Sequence, residues 1–216
     1  MTTKMTNLII GVLVLFSFVL GIWAYPQLPA MVAGHWNAAG VVDGYLPKFW
    51  GVFFLPVILL GLWALFTLLP NIDPLKENVV AFRKDYNIVV LMILLVLVSL
   101  FKFTLLWNLG YHFPITLIVL GLLNVLFIGI GLVLPRMKQN YFMGIRTPWT
   151  IASEKVWEQT HQRGSKLFIA AGVIGLISLL GGSVVAVWVT TVAIVLAALG
   201  SVIDSYLTFR RLRASE

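Results

Sequence analysis

The residues able to do chemistry in this chain lie in two polar stretches. One is Asn140-Tyr-Phe-Met-Gly-Ile-Arg-Thr-Pro-Trp149, continued by Ser153, Trp157, His161 and Gly164. The other runs from Pro26 to Lys48 and holds His35, Trp36, Asn37, Asp43, Gly44 and Tyr45. In the first, Gly144-Ile-Arg146-Thr147-Pro148 is a tight basic turn, and a planar guanidinium suits bidentate contact with a carboxylate, a phosphate or a backbone carbonyl. His161 with Glu154, Glu158 and Ser153 offers a small acid–base cluster. The same spacings belong to any amphipathic helix, and no nucleophile or metal triad completes the cluster. In the second stretch His35 and Asp43 could share a metal, but a metal site needs a third ligand that this loop lacks. No metal site and no cofactor are therefore expected. Absence of cysteine removes disulfides, thiolate nucleophiles and cysteine-based zinc sites. Neither Gly-x-Ser-x-Gly, His-Glu-x-x-His nor a P-loop is present. The chain is expected not to be an enzyme, with a membrane-embedded enzyme as a lesser alternative.

What positions these stretches is hydrocarbon. Hydrophobic residues make up 60% of the chain and charged residues 11%, with a mean hydropathy of +0.99. A soluble domain carries about 25% charged residues, so this supply cannot cover a water-facing surface. Six apolar runs, near 7–25, 50–69, 88–109, 114–134, 166–182 and 184–206, are long enough to cross a bilayer, which takes about 20 residues. The first exceeds the apolar region of a secretory signal, and Trp23-Ala24-Tyr25-Pro26 offers no small-x-small cleavage site, so it reads as a retained anchor. Gly110-Tyr-His-Phe-Pro114 and Gly181-Gly-Ser183 are short links that predict antiparallel packing of spans three with four and five with six. The fold expected is all-α and polytopic, with six transmembrane helices.

Charge sets the orientation. Every Lys and Arg except Lys48 and Lys102 falls before the first run, between runs two and three, between four and five, or after the sixth. Short loops rich in Lys and Arg stay cytoplasmic, so both termini are expected inside. The formal net charge of +7 is thus topological, and direct nucleic-acid binding is not expected. His35 and His112 then lie outside and His161 inside.

Inside the spans, Ala171-x-x-x-Gly175, Ala193-x-x-x-Ala197-x-x-x-Ser201, and Gly121 with Gly129 predict close helix contacts. Asn124 is available for an interhelical hydrogen bond, and Pro56 should kink the second span. Lys102 either snorkels to the outer surface or faces inward to an ion pair or substrate. Asp204 is expected near Arg210 and Arg211. No chain of buried carboxylates supports a proton-coupled transporter, which leaves a small-molecule or ion transporter or channel as the weaker alternative.

The outer loop, about 26–49, carries Asn37-Ala-Ala-Gly40, a four-residue turn whose glycine can take positive φ. Val32–Trp36 and Val41–Tyr45 should flank it as a short hairpin, with a second bend at Asp43-Gly44. Trp36, Tyr45 and Trp50 suit headgroup level, or an outward lid that meets an amphipathic ligand. In the inner loop, about 135–165, either Thr147 ahead of Pro148 or Ser153 ahead of Glu154 caps a helix. Trp157, His161, Gly164 and Phe168 share one helical face. They predict a short amphipathic helix along the inner interface that feeds span five.

Asn140, Gly144-Ile-Arg-Thr-Pro-Trp149, Ser153, Trp157, His161 and Gly164 resemble, in order and spacing, the signature of the SdpI family of bacterial membrane proteins. Leu28-Pro29, Val32-Ala33, His35-Trp-Asn37, Gly40 and Asp43-Gly44-Tyr45 resemble the domain of unknown function that commonly precedes it. The resemblance divides the chain into an N-terminal membrane region, 1–110, with three spans and the outer loop, and an SdpI-like region, 111–216, with three spans and the inner loop. It implies a multi-pass protein of the bacterial plasma membrane that confers immunity to a secreted antimicrobial peptide. In that family's best-known member a cytoplasmic transcriptional repressor is also held at the membrane when toxin is present. Carried onto this chain, His35, Trp36, Asn37, Asp43, Gly44 and Tyr45 would meet the toxin peptide. Arg146, Trp149, Trp157 and His161 would face the cytoplasm, where a repressor could dock.

Overall fold

The computed structural model describes residues 2–214. Helix α1 (Thr3–Ala24) ends in a 3-10 turn and leads to a hairpin of β1 (Met31–Trp36) and β2 (Val42–Pro47). Then come α2 (Lys48–Ile72), the short α3 (Lys76–Ala81), α4 (Arg83–Asn108) and α5 (Ile115–Val133). After a long irregular segment follow α6 (Pro148–Ala152), α7 (Glu154–Ser178) and α8 (Ser183–Arg213). Six of these, α1, α2, α4, α5, α7 and α8, are long and apolar enough to cross a membrane. An even number of crossings puts Thr3 and Arg213 at the same end, with the basic loops. The hairpin lies at the other.

The helices obey the solvent expected of a bilayer. Apolar side chains such as Leu8, Ile22, Trp188 and Leu196 stand exposed along them, which water would penalise and lipid does not. Helix α1 packs on α2 and α4, α4 packs on α5, and α5, α7 and α8 pack on one another. The first packing unit is aliphatic and aromatic, built on Ile10, Val14, Leu59, Tyr86, Val90 and Leu94. The second is built on small residues. Backbone approach is closest where α5 meets α7: a β-carbon on Gly131 would meet the Ser165 carbonyl at 3.0 Å, and one on Gly172 the Asn124 carbonyl at 2.7 Å. Without a hydrophobic drive between helices in lipid, such contact and interhelical hydrogen bonds supply the association.

Several expectations meet their partners here. Ala171, Gly175, Ala197 and Ser201 are buried as the spacing predicted. Gly121 and Gly129 diverge, since Gly129 abuts Met92 of α4 while Gly121 sits near Leu179. The α5–α7 seam instead uses Gly131 and Gly172, which the spacing argument did not single out. Asn124 is fully buried, and its amide donates to Thr190 Oγ1 on α8 at 3.1 Å. Helix α2 continues through Pro56. Lys102 places its ammonium 4.5 Å from the Phe103 ring centroid. Asp204 pairs with Arg163 at 2.9 Å, not with Arg210 or Arg211, because α7 presents Arg163 across the α7–α8 seam.

The inner amphipathic helix takes a different form from a separate interfacial element. Both proposed caps operate: Thr147 caps the five-residue α6, and Ser153 caps α7 by accepting from Val156 N at 3.4 Å. From Glu154 the helix runs unbroken to Ser178, because the glycines on its buried face are packed, Gly164 against Ile145 and Ser201, Gly172 against Ile128, and Gly175 against Asn124. The face of Trp157, His161 and Gly164 is therefore buried in the protein and does not float at the interface.

Candidate functional site

The irregular segment between α5 and α6 is folded by its own side chains. Asn140 is 1% exposed. Its amide donates to Lys138 O and Met143 O, both at 2.9 Å, and its Oδ1 accepts from Phe142 N at 3.0 Å and Met143 N at 2.7 Å. Every hydrogen-bonding position of that amide is used. Asn140 thus serves as the template of the loop.

Trp157 and His161 hold the two ends of the loop against α7. The Trp157 indole is fully buried and donates to Met137 O at 2.8 Å. The His161 ring stacks on it, 4.0 Å between centroids and 20° between planes. Its Nε2 accepts from Ile145 N at 3.0 Å, while Nδ1 lies 2.8 Å from Trp157 O. A backbone N–H requires a lone pair on Nε2, and a carbonyl requires a proton on Nδ1, so the ring is the neutral Nδ1–H tautomer. Gly144 makes this possible. It sits at φ +113°, and a β-carbon there would fall 2.5 Å from His161 Nε2 and 3.2 Å from the Trp157 ring.

The remaining residues of the stretch close on α8. Thr147 Oγ1 donates to Ser205 Oγ at 3.0 Å. Trp149 packs on Tyr206, ring centroids 5.0 Å apart. Gly164 leaves room for the Ile145 side chain and for Ser201, at 2.4 and 3.2 Å from a hypothetical β-carbon. Pro148 opens α6 behind the Thr147–Thr150 capping box. Arg146 is exposed and donates from one guanidinium nitrogen to Tyr141 O at 2.6 Å. The acid–base cluster is not assembled: His161 is engaged by backbone, Ser153 by its cap, and Glu158 by Lys138 at 3.4 Å.

Four residues outside the motif clasp this loop from the first half of the chain and from the loop itself. Asp73, 3% exposed at the end of α2, accepts from Leu75 N at 2.7 Å and from Tyr141 N at 2.9 Å. Asn78 donates to Gln139 O at 2.9 Å, and Asp85 receives Arg136 at 2.8 Å. Gln139 in turn donates to Thr150 O and Ile151 O. Asp73-Pro74 is legible as a turn. Nothing in the local sequence announces that its second carboxylate oxygen serves a residue 68 positions away.

At the opposite end the hairpin forms with a shifted register. Strand β2 is Val42–Pro47, so Asp43-Gly44 is strand and not a second bend. The reason is steric: a β-carbon on Gly44 would lie 2.9 Å from His35 Cβ, and its absence lets the strands close. Asn37 builds the turn, its Oδ1 accepting from Ala39 N at 3.0 Å and Val41 N at 3.1 Å, with Gly40 at φ +80°. His35 Nδ1 and Asp43 Oδ1 stand 2.5 Å apart, and among the described residues no group of three His, Cys, Asp or Glu could hold a metal. Tyr45 and Trp50 are exposed, as interfacial aromatics are, but Trp36 turns inward, edge-on to Trp107 at 5.3 Å. Asn108 at the end of α4 pins the hairpin by pairing with Ala33 as a strand would: Ala33 N donates to it at 2.7 Å, and it donates to Ala33 O at 3.0 Å. Lys48 donates to Tyr25 O and Leu28 O, and so ties α2 to the end of α1.

Comparison with known proteins falls on these same two ends. Residues 136–205 match the SdpI/YfhL protein family, and residues 12–60 match a domain of unknown function, DUF1648. Over 214 residues the chain is 30% identical to the immunity protein SdpI of Bacillus subtilis (strain 168), covering 97% of this chain and 98% of that protein. No solved structure matches the chain.

Proposed function

The chain belongs to the SdpI family of multi-pass bacterial plasma-membrane proteins, and on that footing we propose that it protects its host from a secreted antimicrobial peptide of the SDP type. The similarity to a named immunity protein over nearly the full length of both chains carries this reading. Its action is non-enzymatic: the residues of the motif are engaged in holding the loop, and the protein works by binding. The basic loops face the cytoplasm and the hairpin faces outward, where a secreted peptide arrives. His35, Trp36, Asn37, Asp43, Gly44 and Tyr45 form or support the peptide-facing surface. Residues 1–110 supply that surface and residues 111–216 the cytoplasmic one.

On the cytoplasmic side Arg146, Tyr141 and Trp149 stand at least partly exposed above the buried Trp157–His161 pair. A rigid loop with an exposed guanidinium suits a protein partner, and a transcriptional repressor held there in the presence of toxin is the second part of the proposal. Asn140, Gly144, Thr147, Pro148, Ser153, Trp157, His161 and Gly164 give that surface its shape. Lys102 and Asn124 act within the membrane, Asn124 as an interhelical link.

Survival of an SDP-sensitive bacterium expressing the protein tests the first part, with Arg146→Ala and His35→Ala beside wild type at matched membrane levels. Protection by wild type is expected, reduced in His35→Ala and retained in Arg146→Ala. No protection at verified expression removes SDP immunity. For the second part, a repressor-controlled reporter should lose its toxin response in Arg146→Ala while protection stays.

A further inference from the structure

Beneath the hairpin lies a cleft of about 350 Å³, and we propose that it is the seat of the secreted peptide, receiving one of its apolar side chains beside a backbone carbonyl. This rests on the immunity reading and names the place and chemistry of the contact.

The walls come from elements that are distant in sequence. Trp36 and His35 of β1 form the mouth, Leu100 and Thr104 of α4 one side, and Val119 of α5 and Val187 of α8 the other. A cavity of this size with a mostly apolar lining and a few polar groups is the usual form of a small binding site. The lining is graded. Aliphatic groups lie toward the membrane interior, while the mouth carries His35, whose side chain is 72% exposed and paired with Asp43. A hydrated ion pair at the entrance fits a ligand that arrives from water.

Trp36 supplies the polar contact. Its indole N–H is enclosed and has no acceptor among the described residues. Enclosed donors are nearly always paired, and because this one has no accessible surface the ring must tilt to present it. An acceptor in the cleft then meets a need that the protein's own groups leave standing. A peptide carbonyl next to an apolar side chain has that chemistry. The cleft is also preformed. Asn108 pins β1 to α4 through both polar groups of Ala33, Trp36 rests edge-on against Trp107, and Thr116 on α5 donates to Asn37 O at 3.5 Å. Little ordering therefore accompanies binding.

The test uses the full-length protein in nanodiscs, a fluorescent SDP peptide as probe, and the survival assay in parallel. Val119→Phe and Val187→Phe fill the cleft from two sides, and each should weaken peptide binding by about tenfold or more, as loss of a buried anchor does. Val192→Phe, on the same helix but 51% exposed to lipid, should bind as wild type. Trp36→Phe keeps the ring but removes the donor, and should weaken binding about fivefold. Independently of any variant, a photoreactive leucine in the peptide should label residues of α4, α5 and α8 that border the cleft. Wild type that protects cells while the filled variants bind and protect equally overturns the cleft and leaves immunity standing. Labelling confined to lipid or to the basic end does the same. Wild type that neither binds nor protects overturns the immunity reading and this proposal with it.

Discussion

Gly144 and His161 compete for one volume. A β-carbon on Gly144 would lie 2.5 Å from the His161 Nε2 that receives the Ile145 backbone N–H. The basic turn of the motif and the histidine 17 residues later are therefore one structural unit, and the glycine is required twice, by its φ of +113° and by its neighbour. Gly144→Ala should lose on the order of 1–3 kcal/mol from backbone strain alone, plus the steric clash. Gly182→Ala, at φ +84° with open space around it, carries the strain without the clash. Denaturation of both variants in bicelles should show Gly144→Ala as the less stable; equal loss would mean the ring moves aside freely.

The neutral Nδ1–H form of His161 has a spectroscopic signature. Nitrogen-15 NMR of histidine-labelled protein should place the proton of this ring on Nδ1, against the Nε2–H tautomer that free imidazoles favour. An Nε2–H signal would break the inferred hydrogen bond from Ile145.

Trp157→Phe should destabilise the loop without removing the stacked ring. The Met137 carbonyl loses its buried donor, which costs about 1–3 kcal/mol when nothing replaces it. Hydrogen exchange should rise at residues 137–145, where the loop leans on that bond, and remain low along α1 and α2.

Asp73→Ala tests the clasp between the two halves. The Tyr141 and Leu75 amides both lose their acceptor, so exchange should rise at both places at once. The spans should insert as before, because their apolar runs are untouched. A change at Leu75 alone would show that the loop does not depend on α2.

Asn124 and Gly175 face each other in the second helix group, and magnitude separates them. Interhelical hydrogen bonds in membranes average about 0.6 kcal/mol, so Asn124→Ala should be mild. Gly175→Ala puts a β-carbon 2.0 Å from Asn124 Oδ1, and overpacking of that kind costs about 1–3 kcal/mol. The double variant should be more stable than Gly175→Ala alone, since the first change makes room for the second. Additive losses would sink that account.

Much of this architecture is local and was readable as such. A run of about 20 apolar residues crosses a bilayer whatever its neighbours do, so each of the six runs coincides with a helix, although α7 begins at Glu154, well before its run, and α8 continues past its own to Arg213. Asn37-Ala-Ala-Gly40 makes its turn from its own side chain, and Trp157, His161, Gly164 and Phe168 share a face because 3.6 residues make a turn.

Periodicity names a face but not what covers it. Only tertiary structure buried Trp157 and His161 against their own loop, where an interfacial helix would have left them at the lipid boundary. Only it sent Asp204 to Arg163, Asp73 to Tyr141 and Asn108 to Ala33. Those pairings depend on which helices are neighbours and at what height, and in lipid that choice is made by small residues and single hydrogen bonds. The hairpin followed the same rule: its turn was written in Asn37 and Gly40, while its register waited on the space that Gly44 leaves for His35.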